Sequence, residues 1–240
     1  MNIRQQKVAK DYGKVLEDIL TMAITADNRY LFVGSLYLGD VKQFRVSDGS
    51  MIKHYRGVCD GGVRSMITTP DSKYLFAGGE HGTIEQICPE SQEVVHNYGK
   101  IHEYWITCLQ TTRDSKYLIT GGADATVKGI SIQDRAFKKD FGRVCHNQIT
   151  AMKISAGDKK LFIGDLRGIL KLMSLTKGTI IKDFGKIHNY AEITGIVITA
   201  DEKFFFTGSR NGTLKQWNHR DTSLVRDYGQ VNELIFGLCL

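Results

Sequence analysis

Apolar residues along the chain alternate with polar or small ones in short runs. Runs of the same kind return about every 43 residues. The run Ile19-Leu20-Thr21-Met22-Ala23-Ile24 has counterparts beginning at Val63, Ile106, Ile149, Ile193 and Ile235. Period-two alternation over so short a stretch predicts a β-strand. Turn residues follow, as in Ala26-Asp27-Asn28-Arg29 and Pro70-Asp71-Ser72-Lys73. Such residues bond their own backbone or preset φ. A second strand comes next, as in Tyr30-Leu31-Phe32-Val33 and Phe204-Phe205-Phe206-Thr207, and each copy ends in a glycine: Gly34, Gly78, Gly121, Gly164 or Gly208.

A tight turn leads to a third strand. Gly39, Gly82, Gly168 and Gly212 suit a hairpin that needs positive φ, and Ala125 takes their place in the third unit. The fourth strand is marked by one apolar position, at Val8, Met51, Val94, Phe137, Ile180 and Leu224. It runs into an aromatic corner at Tyr12, Tyr55, Tyr98, Phe141, Phe184 and Tyr228, with gaps of 43, 43, 43, 43 and 44 residues. Helical periodicity is absent over any useful length.

Four strands per unit, joined by short turns, make one antiparallel sheet. One such sheet cannot bury both of its faces, and radial stacking lets neighbours cover each other. Repeats of this period with strand-like units predict an all-β fold, a β-propeller of four-stranded blades. The expectation is a single domain over residues 1–240, with repeat units beginning near 12, 55, 98, 141, 184 and 228. Five full blades are present. Residues 1–11 and the stretch after Tyr228 supply about half a blade more, so the ring is expected to be incomplete or fragmentary.

Composition changes this picture little. The chain is 42% hydrophobic and 24% charged, with a net charge of +6. That balance permits acidic partners or RNA without requiring either. The five cysteines are an odd number without CxxC spacing, which speaks against a disulfide framework or a zinc ribbon. A reducing interior fits best. The first residues lack the apolar core of a signal peptide, and no apolar stretch approaches membrane-spanning length. A cytoplasmic location is expected, with the nucleus as another intracellular option.

The corner carries a basic series, Lys14, Lys100, Arg143 and Lys186. On one end of a propeller it forms a positive rim able to take acidic peptides, phosphate groups or nucleic acid. A repeated lysine on a solvated loop is the plainer reading. Tyr104, Trp105 and Tyr190 stand in loops before first strands, either as partner anchors or as caps over a blade edge. His102, His146 and His188 recur near the corner, one blade apart, too spread to share a metal ion. Lys42, Lys128, Lys171 and Lys215 share a third-strand position and read as solvated side chains on apolar neighbours. No GxGxxG, GxxxxGK[ST], GxSxG or HExxH occurs. No catalytic residue, cofactor site or metal site is expected.

The stretch Gly208-Ser209-Arg210-Asn211-Gly212-Thr213-Leu214-Lys215-Gln216-Trp217 resembles the end of a WD repeat. The resemblance runs from about residue 7 to the C-terminus, with degenerate repeats: the naming dipeptide survives only as Trp217-Asn218, and the Trp position elsewhere holds Phe44, Ile87, Ile130 and Met173. It implies a β-propeller that serves as an assembly platform without catalysis. It also implies a hydrogen-bonded set of His, Ser or Thr, Asp and Trp. The third unit offers His102, Thr120 and Asp124; the fifth offers His188, Thr207 and Trp217, with Asn211 in the Asp position.

The leading expectation is a non-catalytic scaffold that docks partner proteins or peptides, acidic ones included, through Lys14, Lys100, Arg143, Lys186, Tyr104 and Trp105. The alternative is an RNA- or ribonucleoprotein-associated propeller that uses the basic rim. The unclosed ring also leaves room for self-association.

Overall fold

The alternation resolves into twenty strands in a computed structural model, which describes residues 15–16, 18–235 and 237–238. The first sheet is β1 (Ile19–Ile24), β2 (Tyr30–Ser35), β3 (Val41–Arg45) and β4 (Met51–Tyr55). The second is β5 (Val63–Thr68), β6 (Leu75–Gly79), β7 (Thr83–Cys88) and β8 (Glu93–Lys100). The third is β9 (Ile106–Thr111), β10 (Tyr117–Gly122), β11 (Thr126–Ser131) and β12 (Ala136–Arg143). The fourth is β13 (Ile149–Ile154), β14 (Lys160–Asp165), β15 (Ile169–Ser174) and β16 (Ile180–Lys186). The fifth is β17 (Ile193–Ile198), β18 (Phe204–Ser209), β19 (Thr213–Asn218) and β20 (Leu224–Gln230). Each sheet is an antiparallel meander in chain order, and no helix occurs among the described residues. These are the blades of a β-propeller-type architecture.

Of the expected half blade, residues 1–11 lie outside the described residues. Residues 231–235 and 237–238 form no strand, and the apolar markers Val8 and Tyr12 lie outside the described residues. The first strands β1, β5, β9, β13 and β17 line the inside, each packed on the next. No such packing joins β17 to β1 among the described residues.

The core sits between the sheets rather than within any one of them. Each buried cluster draws on two neighbouring blades; one unites Phe32 and Val41 with Val63, Leu75 and Ile87. The glycine near the end of each second strand makes the close approach possible. A β-carbon on Gly78 would lie 2.7 Å from Ile106, and one on Gly164 would lie 2.7 Å from Ile193. The inner-strand residue therefore fits a notch that only glycine leaves open.

A second contact joins the turns at the other end of the blades. The Asp27 N–H donates to Ser72 Oγ at 3.0 Å, that of Asp71 to Ser115 Oγ at 3.2 Å, and that of Arg113 to Asp158 Oδ2 at 2.9 Å. The Ala156 N–H donates to Glu202 in the same way. All four acceptors sit at left-handed φ, between 52° and 60°, which aims the side chain at the preceding blade.

The hairpin between second and third strands is locked to the corner after the fourth. Gly82 O accepts the Ile101 N–H at 2.7 Å, and Gly168 O and Gly212 O accept those of Ile187 and Val231 at 2.9 Å. Ala125 performs the same task at φ 65° and accepts the Val144 N–H at 3.0 Å. A β-carbon on Gly82 would lie 2.0 Å from the His102 carbonyl oxygen, whereas one on Gly99 would meet nothing within 4 Å. Both glycines have positive φ. Gly99→Ala is therefore expected to cost about 1 kcal/mol from backbone strain alone. Gly82→Ala should cost at least about 3 kcal/mol, because the corner must also move. Denaturant unfolding of the two variants checks the difference.

Candidate functional site

The hairpins between second and third strands and the corners between fourth and first strands lie at one end of the blades. Beneath this loop face lies a row of corner residues, buried except for the half-buried Leu16. Reading along the chain they are Leu16, Cys59, His102, Cys145 and His188.

His102 is 1% exposed. Its Nε2 lies 2.7 Å from Thr120 Oγ1, and its Nδ1 lies 3.1 Å from both oxygens of Asp124. Asp124 also accepts the Glu103 N–H at 2.9 Å and the Thr126 N–H at 3.0 Å. Burial alone would raise this carboxyl. The hydrogen bonds from His102, Thr126 and the Glu103 N–H outweigh it and hold the pKa well below the ordinary carboxylate range. The set fixes the loop that carries Tyr104 and Trp105.

In the fifth blade His188 Nε2 lies 2.9 Å from Thr207 Oγ1, which also accepts the Trp217 Nε1–H at 3.1 Å. Asn211 does not reach the histidine. It accepts from the Thr213 hydroxyl at 2.8 Å, and Thr213 Oγ1 in turn lies 2.6 Å from His188 Nδ1. Burial, reinforced by the charge of Lys215, pushes the His188 pKa down to about 4.

Cys59 and Cys145 hold the same corner position in the second and fourth blades. Burial pushes both thiols up to about 12, so they stay neutral and unreactive. Among the described residues no group of three or more His, Cys, Asp or Glu is placed to hold a metal ion.

The third-strand lysines are not solvated. Lys128 Nζ donates to the Ile101 carbonyl at 2.7 Å, Lys171 to that of Val144 at 3.0 Å, and Lys42 to that of Val15 at 2.7 Å. Lys128 and Lys171 also face Asp140 at 3.9 Å and Asp183 at 3.5 Å on the adjacent fourth strand, and Lys215 pairs with Asp227. These lysines tie the corner entering a blade to that blade's third strand. Glu85 takes the position in the second blade, and burial pushes its pKa up to about 7.

On the surface, Tyr104 and Trp105 are 55% and 42% exposed. The Arg64 guanidinium stacks on the Trp105 ring at 4.3 Å and is paired with Glu80. Arg64 is the extra residue of a bulge in β5, between the Val63–Gly79 and Ser65–Gly78 pairs. The bulge re-aims its side chain toward the loop face. Lys186 Nζ lies 3.7 Å from the centre of the exposed Tyr190 ring. Lys100 and Arg143 are exposed, but Arg143 is bound to the Cys145 and His146 carbonyls at 3.2 and 2.8 Å. Lys14 lies outside the described residues. A cavity of about 440 Å³ among the inner strands is lined by Ser65, Cys108, Gln110, Ala151 and Lys153, and holds no acid–base pair.

Residues 93–129 and 180–218 match the family model of the WD domain, G-beta repeat. Each match runs from the fourth strand of one blade through the third strand of the next. The two spans hold the His102 and His188 hydrogen-bond sets. Those two spans are matched as WD repeats, and the four-stranded antiparallel sheets are consistent with a WD-repeat propeller. No curated protein sequence matches the chain. WD repeats generally serve as protein-interaction scaffolds and are typically non-enzymatic, and no catalytic family is indicated. No helix among the described residues is long and apolar enough to cross a membrane.

Two opposed pH effects follow. His188 has a folded pKa below its unfolded value, so its contribution is present above about 6.5 and is lost as the pH falls toward 4. Its loss should remove about 3 kcal/mol of stability. Glu85 has a folded pKa above its unfolded value, so its contribution is present below about 4.5 and is lost as the pH rises through 7. In urea unfolding series, His188→Gln should flatten the acid limb, and Glu85→Gln the limb between pH 5 and 8.

Proposed function

We propose that the chain is a non-catalytic scaffold that holds an acidic peptide segment of a partner protein on its loop face, within one domain formed by the repeat array. The observation that carries this reading is the Tyr104–Trp105 loop. Two large aromatic side chains stand exposed on a loop fixed from below by the His102–Asp124–Thr120 set. Trp105 is also held from the side by Arg64. Rigid aromatics of this kind anchor partners at low entropic cost.

Lys100 and Lys186 stand as exposed cations at other corners of the same loop face, and the net charge of +6 favours an acidic ligand. Arg143 contributes charge from a fixed position. The RNA reading is weaker, because the rim is mixed in sign. Arg64 is paired with Glu80, and Arg210 with Glu192 at 3.0 Å.

The test is an array of Asp/Glu-rich peptides, each with one aliphatic residue, with single-stranded polyuridine as the competing probe. The chain should retain acidic peptides. Trp105→Ala should weaken them roughly tenfold or more. Lys100→Glu with Lys186→Glu should weaken them further and reduce the salt dependence. Binding of polyuridine alone, with a steep loss on adding salt, would replace this reading by the RNA one.

A further inference from the structure

Each blade turns one row of side chains toward the next, drawn from its second, third and fourth strands. Phe32, Gln43 and Lys53 form the row in the first blade, and Phe162, Leu172 and Lys182 in the fourth. Contacts across the joint fix its direction. Gln43 donates to the Pro89 carbonyl at 2.9 Å, and Lys182 to Thr222 Oγ1 at 2.7 Å. The third blade breaks the row twice. Ile119 stands where the other four blades have phenylalanine, and Gly129 beside it stands where they have glutamine or leucine.

The fourth blade does not fill the gap. A cavity of about 350 Å³ remains at the joint, walled by Ile119, Phe141 and Leu175 over the Gly129 backbone. It opens on the outer wall at the turn end of the blades, past the exposed Tyr117 and Lys139. A void of this kind leaves its lining without contacts on one side. In the fourth blade the same seat is taken from within, where Leu172 packs in one cluster with Phe162 and Phe184.

The charges around the mouth are unequally engaged. Lys138 is paired with Asp134 at 2.8 Å, and Asp158 accepts the Arg113 N–H at 2.9 Å. Lys139 Nζ lies 4.8 Å from the centre of the Phe141 ring and 3.4 Å from the Thr176 carbonyl oxygen. No carboxylate pairs with it among the described residues.

We propose that this slot seats one leucine side chain of a partner protein, and that an acidic residue beside that leucine meets Lys139. The fourth blade gives the size of the occupant, and the Lys139 ammonium gives its charge. An apolar anchor in a pocket, with a polar contact at the rim, is the arrangement that concentrates binding energy. The slot is separate from the loop face and does not depend on the reading given to that face.

Fluorescence anisotropy of the labelled peptide Gly-Ser-Glu-Leu-Ser-Gly with the full chain tests the proposal. The chain should bind it, and should bind the peptide with alanine in place of leucine roughly tenfold or more weakly. A β-carbon on Gly129 would lie 3.4 Å from Phe141 and 3.6 Å from Ile119, which are ordinary contact distances. Gly129 does not have positive φ. Gly129→Leu should therefore close the slot as Leu172 does, remove binding, and leave the urea midpoint unchanged or raised. The milder Gly129→Ala should weaken binding several-fold with the same effect on unfolding. Lys139→Gln should weaken binding and flatten its dependence on salt. Trp105→Ala should leave the affinity unchanged. Absence of binding by the native chain overturns the proposal, as does full affinity in both Gly129 variants. Loss of binding in Trp105→Ala overturns it as well, and assigns the peptide to the loop face.

Discussion

The joint between blades is the constraint on which the rest of the structure depends. A four-stranded sheet of this length has two apolar faces and no means of covering either. The inner-strand knob on a neighbour's second-strand glycine brings successive sheets within contact distance, and the aromatic and aliphatic clusters form between them. In such arrays stability is carried by nearest-neighbour interfaces rather than by a common centre. Each notch glycine acts through the absence of its side chain, and its loss would open the cluster between the two blades it joins.

The same constraint explains what could be read from the sequence and what could not. Period and alternation are local signals, and they located the five blades and the glycines at their hairpins. Alternation also separates the two faces of a strand, but in a stacked blade both faces are covered by neighbours. A lysine opposite the apolar face therefore does not point to solvent. Lys128 and Lys171 reach corner carbonyls instead. The Arg64–Trp105 stack was hidden for a different reason: it needs a bulge in β5, and nothing in the residues Val63-Arg64-Ser65 marks one.

One long-range pairing was written in the sequence through its variation between repeats. Units with Tyr at the corner carry Gln on the third strand, and the hydroxyls of Tyr55, Tyr98 and Tyr228 donate to Gln43, Gln86 and Gln216 at 2.7, 2.9 and 2.9 Å. Units with Phe at the corner have no such partner. Phe141 lies against Gly129, and Phe184 packs in the cluster that holds Leu172. In the covered pairs Tyr55–Gln43 and Tyr98–Gln86, either group alone would leave a buried polar group unsatisfied.

The blades are fastened unequally, and the inequality bears on where the loop face is rigid. The third blade combines the His102–Asp124 set, a lysine tie from Lys128 and the exposed Tyr104–Trp105 loop. The second has a neutral thiol at Cys59 and a high-pKa carboxyl at Glu85 in the corresponding places. A docking loop gains most from preorganisation when the elements beneath it do not move. The strongest hydrogen-bond set therefore lies under the loop that presents the largest aromatic surface. The buried histidine, by holding Asp124 and through it the Glu103 N–H, connects the packing of the blade to the position of the side chains that a partner would meet.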